Sequence, residues 1–195
     1  NKIILTDKST GEDYIYGYNE ISGEIEEVIW ENLVRDGLGN KRYINSLIAT
    51  YKGNLYAVPS TMTNNLVTGI YKITASGEYE KVVDFNTFFP GVGTYMVMDM
   101  KVFNIGGSEK LYVTVGGSSS MYIFEYDGTT CRAKQLTNKT GVENPAAMAV
   151  FNGYIYTQFI SGGRKYLKRT SDPINGTWQT IGTYGIDDSN NRNFR

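Results

Sequence analysis

Apolar and polar residues alternate along most of this chain with a period of two, and a helical period is nearly absent. Three stretches repeat one pattern: an apolar run, a turn containing Gly, then a second apolar run carrying Tyr. They occupy residues 50–58, 103–114 and 150–157. Their tyrosines, Tyr56, Tyr112 and Tyr156, lie 56 and 44 residues apart. A repeat of roughly 40–50 residues built only from strands predicts β-propeller blades, four-stranded sheets that hide both faces against neighbouring sheets.

Four successive sheets are predicted. The first uses residues 3–6, 14–18 and 24–30 and is one strand short. The second uses 46–51, 54–59, 67–74 and 78–85. The third uses 97–103, 110–115, 121–126 and 131–136. The fourth uses 146–151, 154–159, 166–169 and 177–181. Turn formers separate the strands, as in Ala75-Ser76-Gly77 and Asp127-Gly128, the latter suited to the positive φ angles of a tight hairpin. Innermost strands are expected to be the most apolar and small, as in 96–100 and 146–150; outermost strands are expected to be polar on one face, as in 24–28 and 78–82.

The expected fold is therefore all-β: a β-propeller of about four blades, the first incomplete, spanning 1–185, with a polar tail at 186–195. At ~45 residues per blade the chain holds just under four. Three arrangements stay open: a self-contained ring, a part of a larger ring, or a chain that completes its ring by self-association. The tail segment Asp187-Asp188-Ser189-Asn190-Asn191 makes a poor inner strand, which favours the latter two. The chain opens inside a strand pattern and without Met, so a processed, cropped or incompletely sequenced protein is expected.

Composition removes several function classes. The 195 residues are 41% hydrophobic, enough for a sizeable core. A net charge of −1 offers no broad field for a polyanion, so no nucleic-acid partner is expected. No run approaches the ~18 apolar residues of a membrane helix, so no membrane insertion is expected. With no histidine, a Ser-His-Asp triad, a His-ligated zinc and a His general base are excluded within this chain. The one cysteine, Cys131, cannot form an intrachain disulfide and is expected to be a free, partly buried thiol opening an outer strand.

Two segments carry a resemblance. Residues 150–156, Val-Phe-Asn-Gly-Tyr-Ile-Tyr, resemble the inner-strand phrase of kelch-like and sialidase-like β-propellers of exported bacterial proteins. Residues 170–178, Thr-Ser-Asp-Pro-Ile-Asn-Gly-Thr-Trp, are similar to the sialidase Asp-box, Ser-x-Asp-x-Gly-x-x-Trp, with two extra residues between Asp172 and Gly176. The resemblance spans 44–182. It implies architecture and an extracellular or cell-surface setting. In that superfamily the box is a structural turn between outer strands, so it implies no activity. The paired glycines of kelch repeats and the Trp-Asp dipeptide of another propeller group are absent.

Candidate chemistry is sparse. Glu24, Glu26, Glu27 and Glu31 read as a solvated outer strand rather than a glycosidase acid pair. Residues 36–40, Asp-Gly-Leu-Gly-Asn, lack the spacing that puts three oxygens on one calcium ion. Residues 116–120, Gly-Gly-Ser-Ser-Ser, lack the lysine and helix of a phosphate loop. No catalytic, metal or cofactor residue is therefore nominated, and no cofactor is expected. The loops between blades and after second strands form one predicted face carrying Tyr43, Asn45, Thr61, Asn64, Asn65, Tyr95, Ser118, Asn144 and Arg164. Such groups suit a glycan or a wet protein interface. The expected function is a non-enzymatic extracellular recognition module for glycan or protein. The alternatives are a fragment of a glycoside hydrolase or sialidase-like enzyme, or a structural component of a cell-surface or virion assembly.

Overall fold

The computed structural model describes residues 2–7, 14–19, 24–28, 47–58, 69–73, 79–90, 96–116, 120–138, 148–161 and 164–182. These residues are all-β apart from one helical turn. Sheet I holds β1 (Lys2–Asp7), β2 (Tyr14–Asn19) and β3 (Glu24–Val28). Sheet II holds β4 (Ile48–Tyr51), β5 (Asn54–Ala57), β6 (Gly69–Ile73) and β7 (Tyr79–Asp84), followed by α1 (Phe85–Phe88). Sheet III holds β8 (Met96–Ile105), β9 (Ser108–Gly116), β10 (Ser120–Tyr126) and β11 (Cys131–Asn138). Sheet IV holds β12 (Ala149–Phe151), β13 (Tyr154–Ser161), β14 (Arg164–Thr170) and β15 (Gln179–Ile181). Each sheet is an antiparallel meander in which strands adjacent in the chain are adjacent in space.

The repeated phrase is a repeated hairpin. Lys52 and Gly53 have φ of 47° and 71°, Gly106 and Gly107 63° and 82°, and Asn152 and Gly153 49° and 73°. Two central residues with positive φ make a type I′ turn, whose twist matches that of the strands it joins. Each turn is closed by a paired residue on either side: Tyr51 with Asn54, Ile105 with Ser108, Phe151 with Tyr154. The arms in sheet III are longer, which sets Tyr112 two residues further from its turn than Tyr56 and Tyr156 are from theirs.

Sheet III lies between its neighbours. Its face toward sheet II presents Leu111, Val113, Val115, Tyr122, Phe124 and Tyr126 to Tyr51, Tyr56, Val58, Ile70, Val83 and Phe85. Its opposite face presents Ile105, Tyr112 and Ile123 to Met148 and Ile155 of the sheet IV region, with Trp178 packed alongside. With both faces covered, every residue of β10 is buried. Each fully buried aromatic there is worth about 1.5–3 kcal/mol by transfer from water.

Several expected boundaries move for identifiable reasons. The strand predicted over 78–85 ends at Asp84, whose carboxylate caps α1 by accepting from the Asn86 N–H at 3.0 Å. The chain then turns so that Phe85, Phe88 and Phe89 pack on Phe124 and Tyr122. Thr177 and Trp178, predicted to open the last strand, belong to the preceding turn, because Trp178 packs on Phe159 at 5.0 Å. The first strands are not the most buried: Ala149 and Phe151 of β12 are exposed, and burial is deepest in β9 and β10. The tail at 186–195 and residues 36–40 lie outside the described residues.

Candidate functional site

One face of each complete sheet carries a four-residue rung centred on the repeat tyrosine. The registers give Ala49–Tyr56–Lys72–Glu80 in sheet II, Lys101–Tyr112–Glu125–Arg132 in sheet III and Ala149–Tyr156–Arg169–Gln179 in sheet IV. Tyrosine suits this place because its ring packs on the pleat while its hydroxyl reaches a charged neighbour.

The sheet III rung holds a carboxylate in the interior. Glu125 is 3% exposed. Its Oε2 accepts from the Tyr112 hydroxyl at 2.9 Å, and its Oε1 accepts from Lys110 Nζ at 3.0 Å and Arg132 Nε at 2.8 Å, with Arg132 Nη2 also donating. A buried charge is tolerated only when paired and hydrogen-bonded, and both oxygens meet that condition. Burial, reinforced by the Glu125 charge and hydrogen bond, pushes the Tyr112 phenol far above its usual range, so it stays a donor at any physiological pH. The Glu125 hydrogen bond likewise raises Arg132.

A second buried carboxylate ties sheet III to sheet IV. A bulge between Val97 and Asp99 shifts the alternation of β8, so Val97 faces sheet II while Asp99 falls on the sheet IV side. Asp99 Oδ2 accepts from the Met148 N–H at 2.6 Å and Oδ1 from the Met100 N–H at 2.9 Å. Lys101 Nζ sits 3.0 Å from Asp99 Oδ2 and donates to the Met148 carbonyl at 2.8 Å. Both backbone polar groups of Met148 are thereby held by side chains of the previous sheet.

Residues 171–178 form a capped turn between β14 and β15. Asp172 Oδ1 accepts from the N–H groups of Ile174 and Asn175 at 3.1 and 2.9 Å, and Oδ2 from Asn175 Nδ2 at 3.1 Å. The Asn175 N–H, aided by its side chain, Ile174 and Arg132, holds the Asp172 carboxyl below the usual range. A Cβ on Gly176 would lie 2.5 Å from the Asp172 carbonyl oxygen, so no larger residue fits. Asp127 caps the equivalent turn of sheet III by accepting from the Thr129 and Thr130 N–H groups at 2.9 and 2.8 Å. Lysines of the preceding sheets reach both turns: Lys52 Nζ donates to the Asp127 carbonyl at 2.6 Å, and Lys134 Nζ to the Gly176 carbonyl at 2.8 Å.

Of the sequence-predicted ligand residues, Tyr43, Asn45, Thr61, Asn64, Asn65, Tyr95, Ser118 and Asn144 lie outside the described residues. Arg164 opens β14, its backbone paired with Ser161. By chain order alone, those eight fall between β3 and β4, β5 and β6, β7 and β8, β9 and β10, or β11 and β12. Cys131 opens β11 as a free, half-buried thiol, and burial pushes it up to about 12. Among the described residues no group of three metal-ligating side chains comes together, and Thr114 Oγ1 and Trp178 Nε1 are buried without a partner.

Sequence reasoning missed Asp99, Glu125 and the rung partners. The available signal was a carboxylate inside an otherwise apolar strand, Met98-Asp99-Met100 and Phe124-Glu125-Tyr126. No protein-family model matches this chain, and no curated protein matches it.

Proposed function

We propose that this chain is a propeller-type repeat module that works by recognition rather than catalysis, at the cell surface or outside the cell. It holds a glycan or a protein surface on the loops at one end of its sheets. Chain order supports the reading: eight of the nine nominated residues lie in sequence within fourth-to-first or second-to-third connections, the two kinds that leave a meander from one end, and Arg164 is the first residue of β14. Rigid strands presenting adaptable polar loops are a common way to build a binding surface. The buried carboxylates add support from the other direction. Both oxygens of Glu125 and of Asp99 already accept from groups of the chain itself, so Glu125 fastens the strands of sheet III to one another and Asp99 ties sheet III to the sheet IV region.

A glycan array probed with the folded chain tests the proposal, followed by titration of the best sugar. Tyr43→Ala and Tyr95→Ala should each weaken binding about tenfold, the value of one well-packed aromatic contact, while the circular dichroism spectrum stays unchanged. Affinity unchanged in both variants would remove the loop-face assignment. Absence of signal for any glycan would leave a protein as the ligand class, to be read by binding of the same variants to a cell-surface extract.

A further inference from the structure

The sequence holds two Asn-Gly dipeptides, Asn152-Gly153 and Asn175-Gly176, and the fold treats them oppositely. Asparagine followed by glycine is the pair most prone to close on itself. The next amide nitrogen lies within reach of the side-chain carbonyl carbon, and no Cβ stands in the way. Local structure then decides whether that nitrogen is free to attack.

At Asn175-Gly176 it is not free. The Gly176 N–H donates to the Asp172 carbonyl at 2.9 Å. The Asn175 side-chain amide donates to Asp172 Oδ2 at 3.1 Å, and the Asn175 backbone N–H to Oδ1 at 2.9 Å. Lys134 Nζ holds the Gly176 carbonyl at 2.8 Å. The place where a Gly176 Cβ would stand is crowded by the Asp172 carbonyl oxygen and Thr170 Oγ1, at 2.5 and 2.8 Å.

At Asn152-Gly153 nothing comparable holds the pair. Both residues are exposed at the tip of the sheet IV hairpin, and nothing lies within 4 Å of where a Gly153 Cβ would stand. Among the described residues no hydrogen bond engages the Asn152 side chain or the Gly153 N–H. Such tips stay open even where sheets are packed: Lys52, Gly53, Gly106 and Gly107, the equivalents in sheets II and III, are exposed. Cyclisation needs the turn to open briefly. Opening here disturbs β12, which is three residues long and paired with one neighbour. The turn itself does not demand asparagine, since Lys52 holds the same place with φ of 47° against 49°.

We infer that Asn152 is a site of spontaneous covalent modification, where the chain converts its own hairpin into aspartyl and isoaspartyl forms. The Gly153 N–H gives its proton to hydroxide, and the nitrogen bonds to Asn152 Cγ. The Cγ–Nδ2 bond breaks, and the departing nitrogen takes a proton from water and leaves as ammonia. Water then opens the cyclic imide. Opening at Cγ restores the normal chain with aspartate at 152. Opening at the Asn152 backbone carbonyl routes the main chain through Cβ and Cγ and lengthens it by one carbon. A two-residue I′ loop has no slack for an added carbon. The isoaspartyl form therefore loosens the pairing of β12, just after the grip of Asp99 and Lys101 on Met148.

Incubation of the full chain in warm, mildly alkaline buffer, followed by peptide mapping with mass spectrometry, tests the site. In the folded chain Asn152 should lose its amide at least about tenfold faster than Asn175, and in urea, where only the shared dipeptide remains, the two should react at similar rates. Methyl transfer by an isoaspartyl methyltransferase should count the isoaspartyl product. Asn152→Lys, which copies the sheet II turn, should abolish the signal from this hairpin. The isolated isoaspartyl form should unfold at lower urea than the fresh chain, whereas Asn152→Asp, with the charge but not the added carbon, should match the fresh chain. An Asn152 that keeps its amide in the folded chain while losing it in urea overturns the proposal. So does equal loss at Asn152 and Asn175 in the folded chain. An isoaspartyl form with the midpoint of the fresh chain overturns the loosening of β12.

Discussion

Replacing Glu125 by Gln tests the interior fastening of sheet III most directly. The side chain is nearly isosteric, so packing is preserved while one buried negative charge is removed. Gln can still accept at one oxygen and can point its amide at the Tyr112 hydroxyl, which is able to accept. The loss is therefore the charge-assisted part of the bonds from Lys110 and Arg132, each worth about 1.5–3 kcal/mol. The two cations differ in how well water can replace the carboxylate: the Lys110 side chain is 20% exposed and that of Arg132 44%. Solvent screening discounts the Arg132 share heavily. A net loss of about 2–3 kcal/mol follows, below the ~3–5 kcal/mol of a pair with no access to water. Glu125→Leu removes every acceptor and strands the buried Tyr112 hydroxyl, so it should cost more, about 3–5 kcal/mol. Urea unfolding should show a lower midpoint at constant slope, and heating a transition lowered by roughly 5–10 °C for Gln at ~2–4 °C per kcal/mol. A Gln variant within about 0.5 kcal/mol of wild type would refute the idea that this carboxylate fastens the sheet.

Asp172→Ala should cost about 1–2 kcal/mol by removing the acceptor that caps two N–H groups, and Asp172→Asn only a few tenths, measured by urea unfolding; equal losses would show that the cap geometry is irrelevant. Because Asp172 and Asp127 are held below their usual range, their contribution is present above the unfolded carboxyl value and fades as pH falls, so the acid limb of stability should be shallower in Asp172→Ala. The opposite sign holds for Cys131 and Tyr126, whose values are raised to about 12 from 9.0 and 10.0. Their contribution is intact below the unfolded values and is lost as pH climbs past them. Iodoacetamide labelling of native Cys131 should keep accelerating about tenfold per pH unit beyond pH 9, and a plateau near pH 9 would contradict the buried thiol.

What could be read from the sequence was what depends on neighbours in the chain. Period-two alternation and Gly-containing turns located the strands of all four sheets, because meander pairing needs only adjacent segments and a turn of the right handedness. The ends failed where a long-range contact decides. Phe85 leaves its strand to reach Phe124, and Trp178 stays in a turn to reach Phe159. Asp99 and Glu125 were passed over because alternation assigns a residue to a face without saying what lies across it. The bulge that turns Asp99 toward sheet IV leaves no mark in the composition of β8. The similarity of residues 22–28 to 76–82, Ser-Gly-Glu-x-Glu-x-Val in both, was legible and marks sheet I as a fourth copy of the repeat.

The I′ hairpins have a consequence for how the molecule assembles. Every ladder joins chain segments separated by a short connection, so the loop-closure entropy of making one sheet is small and its contact order low. Cooperativity between sheets then comes from a few nearest-neighbour fasteners, such as the grip of Asp99 and Lys101 on Met148. Such a chain behaves as a short one-dimensional array: each unit can form as it leaves the ribosome, and damage to one unit is felt mainly by the units on either side.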